Sequence, residues 1–201
     1  MRHITILVLL LLHLTSFAQK DTGYVKDVKI YLSKEFTPKE ISTLTKFYDS
    51  VNDTYIGKQY VPFILKTTNG DVLTNESIKG KVTFIAFWNA SYARTWEYDK
   101  LNRLYDSLHK NPAFEFISVA IQENLLDEFV KEHDPHYPIT FVRDKHAMDI
   151  LNYSNGIPSF VIIDKDGKIV LVRRGGITEK DQFIGIAFHR IYALINWLLI
   201  R

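Results

Sequence analysis

Tyr92, Arg94 and Thr95 follow closely on a nearly continuous apolar run, Lys81 to Trp88, and are the first polar groups to read for chemistry. If a helix begins here, its free N–H groups and the Arg94 guanidinium favour an anion or a carboxylate. Thr95 equally suits the plainer task of capping the helix end, and that use is the one preferred. A second polar pair, His133 and His136, brackets Asp134 and Pro135. Pro135 breaks a helix between the two imidazoles and no third ligand is in view, so the pair reads as a solvated loop. No metal and no cofactor is expected. A Ser-His-Asp arrangement, a phosphate loop and paired carboxylates do not stand out either. Asn52, Asn75, Asn89 and Asn152 each open an Asn-x-Ser/Thr triplet, too short a pattern to carry a conclusion.

The sequence has 201 residues, 46% of them apolar and 13% aromatic, and no cysteine. That length and composition suit one globular domain with an extension. A formal charge of +2, with no basic block, gives no reason to expect nucleic acid. Arg2 and His3 precede an apolar run from Ile4 to Leu12, and small residues Ser16 and Ala18 follow. Residues 1–18 therefore read as a secretory signal, too short to span a bilayer. The expected location is outside the cytoplasm: the periplasm or cell envelope if the source is bacterial. An exported chain without cysteine can use neither disulfide bridges nor thiol chemistry.

Residues 19–56 are expected to form an extension with one helix. Val25 to Leu32 alternates loosely as a short strand would, and Thr37-Pro38-Lys39-Glu40 resembles a capping box. The helix it opens would run to about Tyr55, with Ile41, Leu44, Tyr48, Val51 and Tyr55 on one face. Such a stripe suits docking on the main domain, residues 57–201.

That domain opens with a hairpin whose arms, Pro62–Lys66 and Asp71–Leu73, flank an Asn69-Gly70 turn. The Lys81–Trp88 run is a strand buried on both faces. A helix through Leu101, Leu104, Tyr105 and Leu108 follows, then a strand at Phe114–Ile121, a helix at Asn124–His133, a strand at Ile139–Val142 and a short helix at Lys145–Leu151. Strand, helix, strand at these lengths is a parallel crossover, so the fold class is α/β. Ser159–Ile163 and Lys168–Arg173 form a second hairpin through Asp164-Lys165-Asp166-Gly167, and a helix from about Thr178 closes the chain. His189, Arg190 and Asn196 argue against reading that last helix as a membrane span.

Three segments carry a resemblance: Ile56-Gly57-Lys58 ahead of Val61-Pro62-Phe63, the strand ending Phe87-Trp88, and Gly156-Ile157-Pro158-Ser159 leading into Phe160–Asp164. In these, and in the order of its elements from about residue 57 to 199, the chain resembles the TlpA/ResA-like thiol-disulfide oxidoreductases related to AhpC/TSA redoxins. The resemblance implies a thioredoxin-like fold, a central mixed sheet flanked by helices, with a cis Pro158. It also sets Tyr92 and Thr95 at the two positions where the family carries its redox cysteines. Disulfide exchange needs an attacking thiolate and a resolving thiol, and neither hydroxyl can replace them. Arg94, Tyr98 and Lys100 depart from the family's redox helix, and Ala86 stands where thioredoxins proper keep a buried carboxylate.

Such a chain is expected to be redox-inactive and to hold an extended peptide or protein partner of the cell envelope. The groove would be made by Trp88, Tyr92, Trp96, Ile157 and Pro158, whose aromatic rings offer contact area at low entropy cost. Two other readings stand beside it: an enzyme of non-thiol chemistry at the same helix start, and a structural part of an envelope assembly.

Overall fold

The computed structural model describes residues 54–89, 95–121, 126–142, 147, 150–153, 157–180 and 185–201. The signal at 1–18, the strand at 25–32 and the capping box at 37–40 lie outside the described residues. Within them run β1 (Ile64–Lys66), β2 (Val72–Thr74), β3 (Val82–Asn89), α1 (Thr95–Leu108), β4 (Phe114–Ile121), α2 (Leu126–His133), β5 (Ile139–Phe141), β6 (Ser159–Ile163), β7 (Ile169–Arg174), β8 (Gly176–Thr178), β9 (Gly185–Ala187) and α3 (Phe188–Leu199).

The central sheet has the order β5-β4-β3-β6-β7. β3 lies parallel to β4, and β4 to β5, as helical crossovers through α1 and α2 require. β6 runs antiparallel to both β3 and β7, the second pair being joined by a short turn with Gly167 at φ 79°. The sheet is therefore mixed, and β3 sits at its centre.

Alternation along β3 divides the core into two layers. Val82, Phe84, Ala86 and Trp88 face the side packed by Leu101, Leu104 and Leu108 of α1 and by Ile191, Leu194 and Ile195 of α3. Ile85 and Phe87 face the other way, toward Tyr60, Phe63, Leu65 and Ile78 of the first hairpin region. Each fully buried aromatic of β3 contributes about 1.5–3 kcal/mol, which is why an unbroken apolar strand belongs in the middle of the sheet.

Both outer strands have cover at one point. The backbone N–H of Thr68, in the β1–β2 turn, donates to Ile139 O of β5 at 2.7 Å. At the far edge, Gly57 N–H donates to Ile169 O and Ile169 N–H to Lys58 O, both at 2.8 Å. Pairing of this kind blunts an edge that would otherwise invite another strand.

The chain's last helix starts at Phe188, not near Thr178. Thr178 instead ends β8, which pairs in parallel with β9 through Gly176↔Gly185, Ile177↔Ile186 and Thr178↔Ala187. Short apolar runs do not distinguish strand from helix by period alone, and the pairing buries Ile177 and Ile186 beside α1 and α3. Of the short helix expected at 145–151, Ala147, Ile150 and Leu151 are helical. No helix among the described residues is long and apolar enough to cross a membrane.

Candidate functional site

The sheet brings together the carboxyl end of β3 and the loop before β6. Phe87 pairs with Ser159, so one step further along the register sets Trp88 opposite Pro158. On the other side Asn89 pairs with Ile121, the last residue of β4. The Ile157–Pro158 peptide is cis. Pro158 O accepts the N–H of Gly175 at 2.7 Å, and Gly175 takes φ 96° just after β7. A left-handed φ of this size suits glycine, so the loop and the end of β7 are fastened at a position glycine fills without strain. Beneath the loop, Ser159 Oγ donates to Asn152 Oδ1 at 2.7 Å, and both residues are buried. Asn152 is thus a support for the loop and not an accessible glycosylation site. Asn75 is similarly occupied: its Oδ1 accepts from Phe63 N–H and its Nδ2 donates to Val61 O.

Trp88 does not line a groove as expected. It is 3% exposed, its ring packs on Phe129 at 4.4 Å and edge-on to Tyr98 at 5.6 Å, and its Nε1 donates to Ser118 Oγ at 2.7 Å. The indole is a core group because the even positions of β3 face the helices, and β4 supplies a buried acceptor for its one polar atom. Ile157 and Pro158 are half-buried, and so is Ile121, which lies across β3 from them at the end of β4. Ile121 is not among the residues expected to form the groove. Its signal was its place at the end of the strand next to β3. Tyr92 lies outside the described residues. Thr95 is the first residue of α1, and Trp96 the second.

Of the other departures from the family pattern, Arg94 lies outside the described residues, whereas Ala86, Tyr98 and Lys100 each have a defined setting. Ala86 is buried, paired with Ser118 on one side and Phe160 on the other, and its methyl group leaves no proton carrier under the site. Tyr98 is 3% exposed and sits between Trp88, Phe129 and His133. Burial first, and then the charge of Glu97, push its phenol well up. Lys100 forms an ion pair with Glu179, and that hydrogen bond holds the exposed Glu179 carboxyl below the usual range. Glu97, in the first turn of α1, lies with its carboxylate against Gly176, where a Cβ would collide with it. An acid in the first turn favours the helix dipole.

The two histidines have separate partners. His133 stacks on Tyr98 at 5.1 Å, whereas the half-exposed His136 places Nδ1 2.8 Å from Asp106 Oδ2. Among the described residues no three His, Cys, Asp or Glu side chains are placed to hold a metal ion. An open, polar hollow on the outer side of α1 is lined by Asp99, Asn102, Arg103, Asp106, Ser107 and His136. It shares no residue with the loop at Ile157–Pro158.

Comparison with known proteins agrees with this geometry. The sequence matches the Redoxin family over residues 56–183, more than half its length. The chain belongs to the redoxin family. Among its relatives, a thiol-disulfide oxidoreductase ResA of Bacillus cereus is 31% identical over 133 residues, which are 62% of this chain and 72% of that protein. ResA of Bacillus subtilis is 26% identical over 147 residues, 66% of this chain and 78% of the relative. The crystal structure of a thioredoxin-family thiol:disulfide interchange protein from Chlorobium tepidum superposes with a TM-score of 0.56 at 18% identity, covering 71% of this chain and 97% of that one. The fold of this redoxin is therefore thioredoxin-like, and its sequence relatives are thiol-disulfide oxidoreductases. The redoxin itself contains no sulfur nucleophile, since its cysteine count is zero.

Proposed function

We propose that this redoxin is an exported binding protein without thiol chemistry, which holds an extended peptide or a protein partner of the cell envelope beside Ile157–Pro158. The observation that carries the reading is the absence of cysteine from a chain that matches the Redoxin family over residues 56–183. Without a thiolate there is no mixed disulfide, and with it goes the covalent half of the family's reaction. What supports binding is the apolar rim left at the sheet end: Ile121, Ile157 and Pro158, each half-buried. An extended segment laid here could exchange backbone hydrogen bonds with the loop and rest its side chains on that rim. Export is supported by the signal-like residues 1–18.

Dithiothreitol-driven insulin reduction by the purified protein tests the first half: no turnover above the uncatalysed background is expected, and measurable turnover overturns the reading. For the second half, a library of extended peptides is panned against the parent chain and against Ile157→Asp. Selected peptides are expected to lose binding to the variant. Equal binding by both would remove the loop from the interface.

A further inference from the structure

We propose that Arg174 gives the loop at Ile157–Pro158 a preference for acidic partners: an extended segment held there carries an Asp or Glu side chain, and the Arg174 guanidinium binds its carboxylate. The inference rests on the peptide-binding reading above and names the chemistry that such a peptide must bring.

Register places the cation. β7 pairs with β6 through Ser159↔Arg174 and Phe160↔Arg173, so the two arginines at the end of β7 point to opposite faces of the sheet. Arg173 shares the face of Phe160, which belongs to the layer packed by α1 and α3. Arg174 shares the face of Val172 and Ser159, and Ile157 packs against that same layer. The next residue, Gly175, is the one whose N–H is accepted by Pro158 O at 2.7 Å. Arg174 therefore stands one residue from the point where the loop is fastened, on the side where Ile157 is half-buried.

The side chain has no partner within the domain. Arg174 is exposed, and its guanidinium meets no carboxylate, carbonyl or ring among the described residues. By contrast, Lys81 holds Glu115 at 2.6 Å, Lys100 pairs with Glu179, Lys165 donates to Leu199 O at 2.7 Å, and Arg103 lies over the Phe188 ring. A guanidinium presents its donors in a fixed fork that fits a carboxylate bidentately. An extended segment turns alternate side chains to one face. One lying along Ile157–Pro158 rests an apolar residue on the rim and sets an acidic one against Arg174. A Lys or Arg at that place meets like charge.

A peptide library, displayed with its C-termini fused to the carrier so that side chains supply the carboxylates, is panned on the parent chain, Arg174→Gln, Arg174→Glu and Ile157→Ser. The loop variant here is Ile157→Ser because Ile157→Asp would itself set a carboxylate near Arg174. Peptides selected on the parent are expected to be enriched in Asp and Glu over the input. Arg174→Gln should lose that enrichment, and Arg174→Glu should favour Lys and Arg, a reversal that unfolding cannot produce. For a selected acidic peptide, anisotropy titration of the parent should show about threefold to tenfold weaker binding when its Glu becomes Gln, and no such loss with Arg174→Gln. Added salt should narrow the difference. Selected peptides that need Ile157 but show no acidic enrichment overturn this inference and leave binding at the loop standing. So does the same enrichment on Arg174→Glu. Selection equally strong on Ile157→Ser, or none on the parent, removes the loop as the binding place and overturns this inference with it.

Discussion

Trp88→Phe and Ser118→Ala, alone and together, separate a core indole from a binding-groove indole. Trp88 is 3% exposed and Ser118 is fully buried, and one 2.7 Å hydrogen bond joins them. Phenylalanine removes the donor and a ring's worth of volume. The volume change costs about 1–2 kcal/mol and the stranded Ser118 hydroxyl about 1–3 kcal/mol more. Ser118→Ala strands the indole N–H from the other side, at a similar cost of about 1–3 kcal/mol. The double variant strands neither atom, so it should be less destabilised than the sum of the singles by roughly 1–2 kcal/mol. With a urea slope of about 1–3 kcal/mol per molar, 2 kcal/mol shifts a midpoint by about 1 M. Far-UV circular dichroism should follow the transitions, because the chain has three tryptophans and one of them is being removed. Additive losses, or a Trp88→Phe loss below about 0.5 kcal/mol, would refute the assignment of Trp88 to the core.

Three further outcomes follow from the packing. Burial raises the phenols of Tyr60, Tyr98 and Tyr137 above their unfolded value. For an acid whose folded pKa is raised, stability is complete below the unfolded pKa of about 10 and is lost as pH rises beyond it. Phenolate absorbance of the three should therefore appear together with unfolding, and independent titration in the folded chain would contradict their burial. Gly176→Ala should cost no more than about 1 kcal/mol, because its methyl group meets only the flexible end of Glu97, and Glu97→Ala in the same chain should recover that loss in thermal melts. Asn75→Ala frees Phe63 N–H and Val61 O and should lower stability by about 1–2 kcal/mol without altering the redoxin's far-UV spectrum.

The sheet was legible because its inner strands are long apolar runs: Phe114–Ile121 and Ser159–Ile163 are read at their observed limits, and β3 begins one residue later than read and ends one later. The Ile157–Pro158 loop was legible through the short pattern Gly156-Ile157-Pro158. Trp88 was not, since in a strand apolar at nearly every position alternation does not say which face meets the helices. Its acceptor Ser118 lies thirty residues further on, a contact that only the β3–β4 register creates. The start of the last helix was misplaced for a related reason. Ile177, Ile186 and Ala187 satisfy a strand pair and a helix equally well until Gly176 and Gly185 are seen to pair across it.

Restoring the sulfurs asks whether the frame or the chemistry was lost. Thr95 opens α1, so a cysteine there would sit at a helix N-terminus, where free N–H groups lower a thiol's pKa below its ordinary 8.5 or so. Glu97, two residues on, opposes that effect with its negative charge. Ala86 offers no carboxylate to carry a proton beneath the pair. Tyr92→Cys with Thr95→Cys is therefore expected to form a disulfide and to gain insulin-reduction turnover, and Glu97→Gln should raise its thiolate fraction at neutral pH. Thiol titration against pH measures the second effect directly. A folded double variant that forms its disulfide yet shows no turnover would mean that the loop at Ile157–Pro158 no longer admits a substrate peptide. That result would remove the main support for binding at the same place.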